Sequence, residues 1–249
     1  AQDISDEKGN IIHYKCHKND GYIKRGDSFN EKDTLLDTSG GWHDAGDFGK
    51  YTASTTTAAA LLMSAFEHSS SLKTLHLNYG DDNSDIPDFL KEIKYGLAWL
   101  LKMQRADGAV YRKCSGDKWP GEILPETDTQ KRFVYGISTS ETGKFSAVMA
   151  MAYRVFKPYS PAFAKQCLSA SVKSYNYLQD RGYFIDYSQS DNSGSGGYPD
   201  MNYDKEPSVY NDLDEKLWAS AELYIATRKQ SYADFYQDNL NSVTVEPFT

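Results

Sequence analysis

Apolar residues recur at helical spacing over most of the chain. Between residues 85 and 106 they lie three or four positions apart, and Asp85 and Pro87 stand where a helix cap and first turn belong. Similar patterns predict helices over 53–67, 141–156, 160–178, 212–225 and 231–240. The predicted inward positions of the second and third helices are Phe89, Ile93, Leu97, Leu100 and Leu101, and Phe145, Val148, Met149, Ala152 and Phe156. No stretch shows strand-like alternation, so the pattern predicts an all-α protein.

Three stretches lack helical periodicity: 1–40, 107–139 and 188–212. We interpret the last as a loop on the active face, because the helices on both sides continue the same alternation. Helix following helix, with long and short loops in turn, predicts antiparallel hairpins arranged in a ring. About three hairpins fit, and no linker divides residues 1–249 into two domains.

Charge and cysteine content narrow the classes of function. The 249 residues carry a formal net charge of −8, which argues against a nucleic-acid partner because phosphates require a basic face. No apolar run approaches the length of a membrane span, so no membrane partner is predicted. The three cysteines cannot all pair within the chain and do not form a disulfide framework. The polar start at Ala1 is compatible with removal of a signal peptide, and we expect a secreted or periplasmic protein.

The stretch GGWHDAGDFGKY at 40–51 carries the candidate chemistry. Asp44 and Asp47 lie among glycines that let the backbone turn sharply, beside the aromatic residues Trp42 and Tyr51. Carboxylates that move protons, with flat rings that stack on pyranose faces, are typical of a sugar-cleaving site. A tight turn that caps the following helix explains the same residues equally well. Further along, Trp119 is either another sugar-stacking residue or a loop tryptophan folded onto the rim of the fold.

The stretch resembles the signature of glycoside hydrolase family 9, the cellulases built on an (α/α)6 barrel. The resemblance continues through DGAVYRK, LPETD, STSETGKFSAVMAMAYRVF and NDLDEKLWASAELYIAT. It implies inverting hydrolysis of β-1,4-glucosidic bonds in cellulose or related β-glucans, with Asp47 as the general base and Asp44 helping to hold the water. It also implies that this chain is about half of the barrel. No Glu lies in the context of the family's general acid, so we assign none, and we expect residues 1–249 alone not to hydrolyse cellulose without the remaining half of the domain.

A candidate zinc site lies near the start of the chain. Cys16 and His17 are adjacent, His43 lies inside the signature, and thiolate with imidazole suits zinc, although structural sites usually have four ligands. A free cysteine and two surface histidines are the competing interpretation. Family members with an N-terminal immunoglobulin-like domain hold zinc with two Cys and two His, and the resemblance implies that Cys16, His17 and His43 are three of these ligands. The family's other cysteine lies upstream, and none precedes Cys16 here, so either the chain is cut short or the site is incomplete.

A candidate calcium site opens the helix predicted from residue 212. Acidic residues at a helix start are ordinary partners of the helix dipole. Carboxylate and carbonyl oxygens are also the ligands that calcium prefers. The stretch resembles the family's calcium segment, and this implies that Asn211, Asp214 and Glu215 are ligands of a structural calcium ion.

Two alternatives to a hydrolase remain open at this point. The chain could be a carbohydrate-binding remnant that uses the groove without cleavage. It could also belong to another (α/α)6 group, such as a polysaccharide lyase, which uses Tyr, His or Arg to abstract a proton beside a uronic carboxylate. The acidic balance and the paired aspartates argue against the lyase.

Overall fold

The computed structural model of the chain describes residues 3–6, 8–77, 84–186 and 211–243. Within these ranges it contains seven α-helices: α1 (Thr52–His68), α2 (Ser70–Lys73), α3 (Asp88–Lys102), α4 (Thr139–Phe156), α5 (Pro161–Leu178), α6 (Leu213–Thr227) and α7 (Gln230–Asn239). Single 3-10 turns cover Pro125–Thr127 and Leu240–Ser242. The loop expected on the active face lies outside the described residues, except for its last two positions.

Local signals explain where α4 and α5 begin. The Ser138 side chain caps α4 by accepting a hydrogen bond from the Glu141 amide, at 3.2 Å. Pro161 occupies the first turn of α5, where its missing N–H is not needed. The expectation for α3 is wrong at both ends, because the helix starts at Asp88 and finishes at Lys102. Pro87 has an extended ψ of 138° and disfavours helical backbone before it, so Asp85 does not cap this helix.

The prediction of a mainly helical fold is confirmed for the described residues, but the expected absence of strands and the expected irregular segment 107–139 are wrong. Two seven-residue strands, β5 (Val110–Gly116) and β6 (Arg132–Ser138), pair antiparallel across this segment. The short strands β3 (Tyr22–Ile23) and β4 (Lys50–Tyr51) complete a sheet of order β3-β6-β5-β4, with β3 parallel to β6. Strands β1 (Ile4–Ser5) and β2 (Ile11–His13) form a separate pair. Every residue of β5 is buried, so its sequence cannot show the alternation of a half-exposed strand.

The core is centred on α4, which packs against α1, α3, α5 and α6. Its predicted inward residues are all buried: Phe145, Val148, Met149, Ala152 and Phe156. Arg154 of α4 links two further helices, since it donates to Glu67 of α1 and to Glu222 of α6. Seven helices are too few to close six helical hairpins, so the described residues form part of a helical fold with a sheet on one side. No helix among them is long and apolar enough to cross a membrane.

Candidate active site and metal cluster

The acid loop, residues 40–51, is a tight turn that ends with β4 and is followed directly by α1. The Asp44 amide donates to the Gly49 carbonyl at 2.8 Å, and the Phe48 amide donates to the Ala45 carbonyl at 3.0 Å. Phe48 has a φ of 55°, in the left-handed region that is uncommon for bulky residues. These contacts bring the two ends of the turn together, with Asp44 exposed and Asp47 half-buried.

Asp47 is held by two hydrogen bonds from its own loop. Its Oδ1 accepts from the Gly49 amide at 2.8 Å, and its Oδ2 accepts from the Tyr51 hydroxyl at 2.5 Å. A Cβ at position 49 would lie 2.5 Å from the Tyr51 ring, so glycine is needed for the tyrosine to pass behind the loop. Tyr51 is only 1% exposed. The structure therefore gives Tyr51 a place beneath Asp47, where it positions the carboxylate, instead of the sugar-stacking place expected for it.

An open apolar groove runs beside the acid loop. Trp119 is 56% exposed, and a Cβ at Gly46 would lie 3.5 Å from its ring. The exposed side chains of Ile123 and Leu124 line the same groove, whose volume is about 400 Å³. Trp119 thus approaches the acid loop at Gly46, which lies between the two aspartates in the sequence, and more than half of its surface is exposed.

Trp42 is anchored to the scaffold. Its Nε1 donates to Glu92 Oε1 of α3 at 2.7 Å, and a Cβ at Gly96 would lie 2.5 Å from the indole. The ring is half-buried and packs on the main hydrophobic core. Only part of this tryptophan is free for the sugar contact expected from the sequence, and its clearest role is to attach the start of the acid loop to α3.

Cys16, His17 and His43 come together as the sequence predicts. Their ligand atoms all lie within 4.8 Å of one another, and Cys16 Sγ is 3.9 Å from His43 Nε2. This is the single such group of His, Cys and acidic side chains found within the described residues. The ring of Phe48 contacts both histidines, with centroid distances of 5.7 and 5.6 Å, so the cluster shares a wall with the acid loop.

Asp128 orients the cluster, and sequence reasoning missed it. Its Oδ2 lies 3.2 Å from His17 Nε2, and both side chains are almost fully buried. This contact leaves His17 Nδ1 buried without a hydrogen-bond partner, on the ring atom still available to a metal. A carboxylate on the outer nitrogen of a ligating histidine is the usual second contact of a metal site. No local signal could reveal it, because the two residues are 111 positions apart.

Burial keeps both histidines neutral. Burial is the main cause that lowers the pKa of His17 to about 4 and that of His43 to about 3, and the positive charge of the nearby Arg132 contributes to both shifts. Neutral imidazole is the form that binds a metal ion. Burial also raises the pKa of the Cys16 thiol, a penalty that coordination to a cation would remove.

The start of α6 does not form a comparable cluster. Glu215 points inward, where its Oε1 accepts from Ser140 Oγ at 2.8 Å and lies 3.1 Å from Lys144 Nζ. Asp214 is exposed, and Asn211 Oδ1 accepts from the Leu213 amide at 3.1 Å. Burial raises the pKa of Glu215, and the nearby Asp214 raises it further. Glu215 Oε2 is buried without a hydrogen-bond partner, so one oxygen remains for a cation.

Comparison with known proteins decides the family. A family model described as "Glycosyl hydrolase family 9" matches residues 4–247. The chain belongs to glycosyl hydrolase family 9. This assignment favours hydrolysis over the lyase alternative.

Individual relatives agree with this family. The chain is 36% identical to Endoglucanase D from Acetivibrio thermocellus over 229 residues, which is 90% of this chain and 35% of that protein. It matches the crystal structure of a metagenome-derived family 9 endoglucanase with 40% identity and a TM-score of 0.86, over 98% of this chain and 43% of that one. The Zn-binding triple mutant of the family 9 endoglucanase J30 matches with 37% identity and a TM-score of 0.88, over 99% and 46%. The chain therefore spans less than half the length of these relatives.

Proposed function

We propose that the protein containing this chain hydrolyses β-1,4-glucosidic bonds in cellulose or a related β-glucan, with inversion at the anomeric carbon. The observation that carries the proposal is Asp47, fixed by Gly49 and Tyr51 beside the open Trp119 groove, in a family 9 chain. The chain spans less than half of its relatives, so this proposal concerns the whole protein.

Asp47 acts as the general base in this proposal. Each of its oxygens holds one donor from the loop, and each keeps a further lone pair for the attacking water. Asp44, exposed three residues earlier, would hold the same water from the other end of the turn. Inversion needs a general acid on the opposite face of the sugar, with the carboxyl groups about 6.5–9.5 Å apart. We propose that this acid is a Glu from the part of the family 9 domain that these 249 residues do not span.

The groove next to Asp47 fits a glucan chain. Pyranose rings present flat C–H faces that stack on exposed aromatic rings, and Trp119 is an exposed aromatic residue next to Gly46. A secreted or periplasmic protein would meet such a polymer, and the remainder of an (α/α)6 barrel would form the other wall of the groove.

Two structural metals complete the proposal. Cys16, His17 and His43 would hold zinc, because the unpartnered His17 Nδ1 and the Asp128 contact fit a metal site. Asn211, Asp214 and Glu215 would hold calcium, because Glu215 keeps one buried oxygen without a partner. When bound, each ion would cross-link segments of the fold and would take no part in the hydrolysis.

Product stereochemistry tests the proposed reaction. The full-length protein is incubated with cellopentaose, and proton NMR follows the anomeric signals of the first product. We expect new reducing ends in the α configuration, which then mutarotate. Products that start in the β configuration would contradict inversion. Binding without new reducing ends would favour the carbohydrate-binding alternative, and an ultraviolet-absorbing unsaturated product would indicate a lyase.

A further inference from the structure

A buried ion network lies directly beneath the acid loop. Asp20, Lys50 and Arg132 are each at most 3% exposed. Asp20 Oδ1 accepts from Arg132 Nε at 2.8 Å, and Asp20 Oδ2 lies 2.9 Å from Lys50 Nζ. Neither the proposed hydrolysis nor the proposed metal sites use these three residues.

The network attaches both ends of the acid loop. At the upstream end, Lys50 Nζ donates to the Gly40 carbonyl at 2.9 Å and also to the Thr38 carbonyl. At the downstream end, Arg132 Nη2 donates to the Phe48 carbonyl at 2.7 Å. Because Arg132 belongs to β6, the contact fixes the loop to the central sheet.

The contact with Phe48 leads directly to Asp47. The carbonyl of Phe48 and the N–H of Gly49 belong to the same planar peptide unit. Arg132 binds the oxygen of this unit, and the hydrogen of the same unit is donated to Asp47 Oδ1 at 2.8 Å. A cation on the oxygen fixes the plane of the peptide and strengthens its N–H as a donor.

The left-handed backbone at Phe48 makes this support necessary. A φ of 55° at a bulky residue is uncommon and persists only where its surroundings enforce it. Burying three charged side chains is also unfavourable relative to an apolar core of the same shape. Both features occur at the one peptide that holds the proposed base.

We propose that Arg132, anchored by Asp20, is a positioning residue for Asp47 and acts through the Phe48–Gly49 peptide. The inference rests on the proposed function, in which Asp47 is the general base. In this proposal, a buried arginine of the sheet orients a carboxylate that it does not touch.

Arg132→Lys in the full-length protein tests this role, with Arg154→Lys as the matched control. Lysine keeps the charge but lacks the planar fork that reaches Asp20 and the Phe48 carbonyl together. Arg154 also joins two acidic partners, Glu67 and Glu222, but it lies between helices. We expect Arg132→Lys to lower kcat on cellopentaose about tenfold, with KM within about twofold, and to move the acidic limb of the kcat–pH profile to higher pH.

The control separates positioning from stability. Arg154→Lys is expected to lower the melting temperature while leaving kcat and its pH profile as in the wild type. Amide hydrogen exchange gives a readout besides activity, and Gly49 should exchange faster in Arg132→Lys than in Arg154→Lys. Asp20→Asn is a second variant that weakens the anchor and should change kcat and the acidic limb in the same direction by a smaller amount.

Three results would overturn the proposal. One is a folded Arg132→Lys variant with wild-type kcat and an unchanged acidic limb, while Asp47→Ala is inactive. Another is unchanged Gly49 exchange in Arg132→Lys. The third is failure of both Arg132→Lys and Asp20→Asn to fold, which would assign the network to the stability of the sheet. Wild-type turnover in Asp47→Ala would instead show that Asp47 is not the general base. Amide hydrogen exchange at Gly49 would still test the Arg132 contact in that case.

Discussion

Asp47 and Glu215 are both carboxylates held by two donors, yet their surroundings give them different uses. Asp47 is half-buried and accepts from Gly49 and Tyr51, and the three residues before it, 44–46, are exposed. Glu215 accepts from Ser140 and contacts Lys144 between two helices, and it is 8% exposed. The first can still receive a proton from a bound water, whereas the second is closed off from any large substrate.

The difference teaches how to separate a reactive acid from a structural one. The number of hydrogen bonds does not distinguish them, because each has two. What distinguishes them is burial: Asp47 is half-buried between Gly46 and Phe48, two residues that line the Trp119 groove, whereas Glu215 Oε2 is buried in the protein. Burial also raises the pKa of Glu215, which reflects the penalty of a buried negative charge.

The largest expected effect comes from removal of the reactive carboxylate. Asp47→Ala should lower kcat on amorphous cellulose about a hundredfold to ten-thousandfold, because loss of a general base typically has this effect. Asp44→Ala should lower kcat less, since it removes only a group that holds the water. The melting temperature should change little in both variants. The measurement is release of reducing ends by the full-length protein, without azide.

Asp33→Ala is the control for the two loop variants. Asp33 is an exposed partner of Lys131, on the protein surface, and its removal should leave kcat unchanged. Turnover near the wild-type value in Asp47→Ala would contradict the distinction between Asp47 and Glu215, because neither carboxylate would then be needed for the reaction.

The second prediction concerns the structural carboxylate, Glu215, whose removal should lower stability and not turnover. Glu215→Ala should lower the free energy of unfolding by about 3 kcal/mol, because it removes the buried carboxylate that accepts from Ser140 and pairs with Lys144. Turnover at low temperature should stay close to that of the wild type. Denaturant unfolding and reducing-end assays on the same sample check both statements, and Asp238→Ala at an exposed position of α7 is the control. Loss of turnover in a folded Glu215→Ala protein would show that the start of α6 takes part in the reaction.

Apart from the short α2, which was missed, the helices were predictable because apolar residues recur along each of them at helical spacing. The predicted range 160–178 differs from α5 at its first residue only, where Ser160 and Pro161 mark the start. All five predicted inward residues of α4 are buried. The strands were not predictable, because β5 and β6 are covered on both faces and place Arg112, Lys113 and Arg132 in buried positions. Such positions depend on partners from other segments, which no short window of sequence contains.

Some parts of the candidate site could likewise be predicted from the sequence, and others could not. The acid loop and the Cys16–His17–His43 cluster were predicted from short motifs, and the structure brings the three side chains of the cluster together. The contact from Asp128 to His17 and the contact from Arg132 to Phe48 were missed, because their partners are 111 and 84 positions apart. Tyr51 was identified, but its burial beneath Asp47 could be seen only once β4 was in place.

A third effect concerns the zinc cluster. Asp128→Asn should weaken zinc binding about tenfold to a hundredfold, because the carboxylate that orients His17 is lost while all three ligands remain. Cys16→Ser should weaken binding further, since it removes a ligand. Zinc content and competitive titration with a chelator measure this in the full-length protein. Protein with no zinc, and with all thiols titratable after unfolding, would show that the cluster is not a zinc site.

The smallest expected effect is that of calcium removal, which again involves Glu215. If Asn211, Asp214 and Glu215 bind calcium, the ion stabilises the folded state by RT ln(1 + [Ca²⁺]/Kd), which is about 1.4 kcal/mol when calcium is at ten times its Kd. Chelation with EGTA should therefore lower the melting temperature by a few degrees and leave turnover at low temperature unchanged. Glu215→Ala should already have lost this contribution, so its melting temperature should not respond to EGTA. Readdition of calcium, but not of zinc, should restore the wild-type curve, which separates this site from the Cys16 cluster. Equal melting curves for the wild type with and without EGTA would leave Glu215 as a carboxylate held by Ser140 and Lys144 alone.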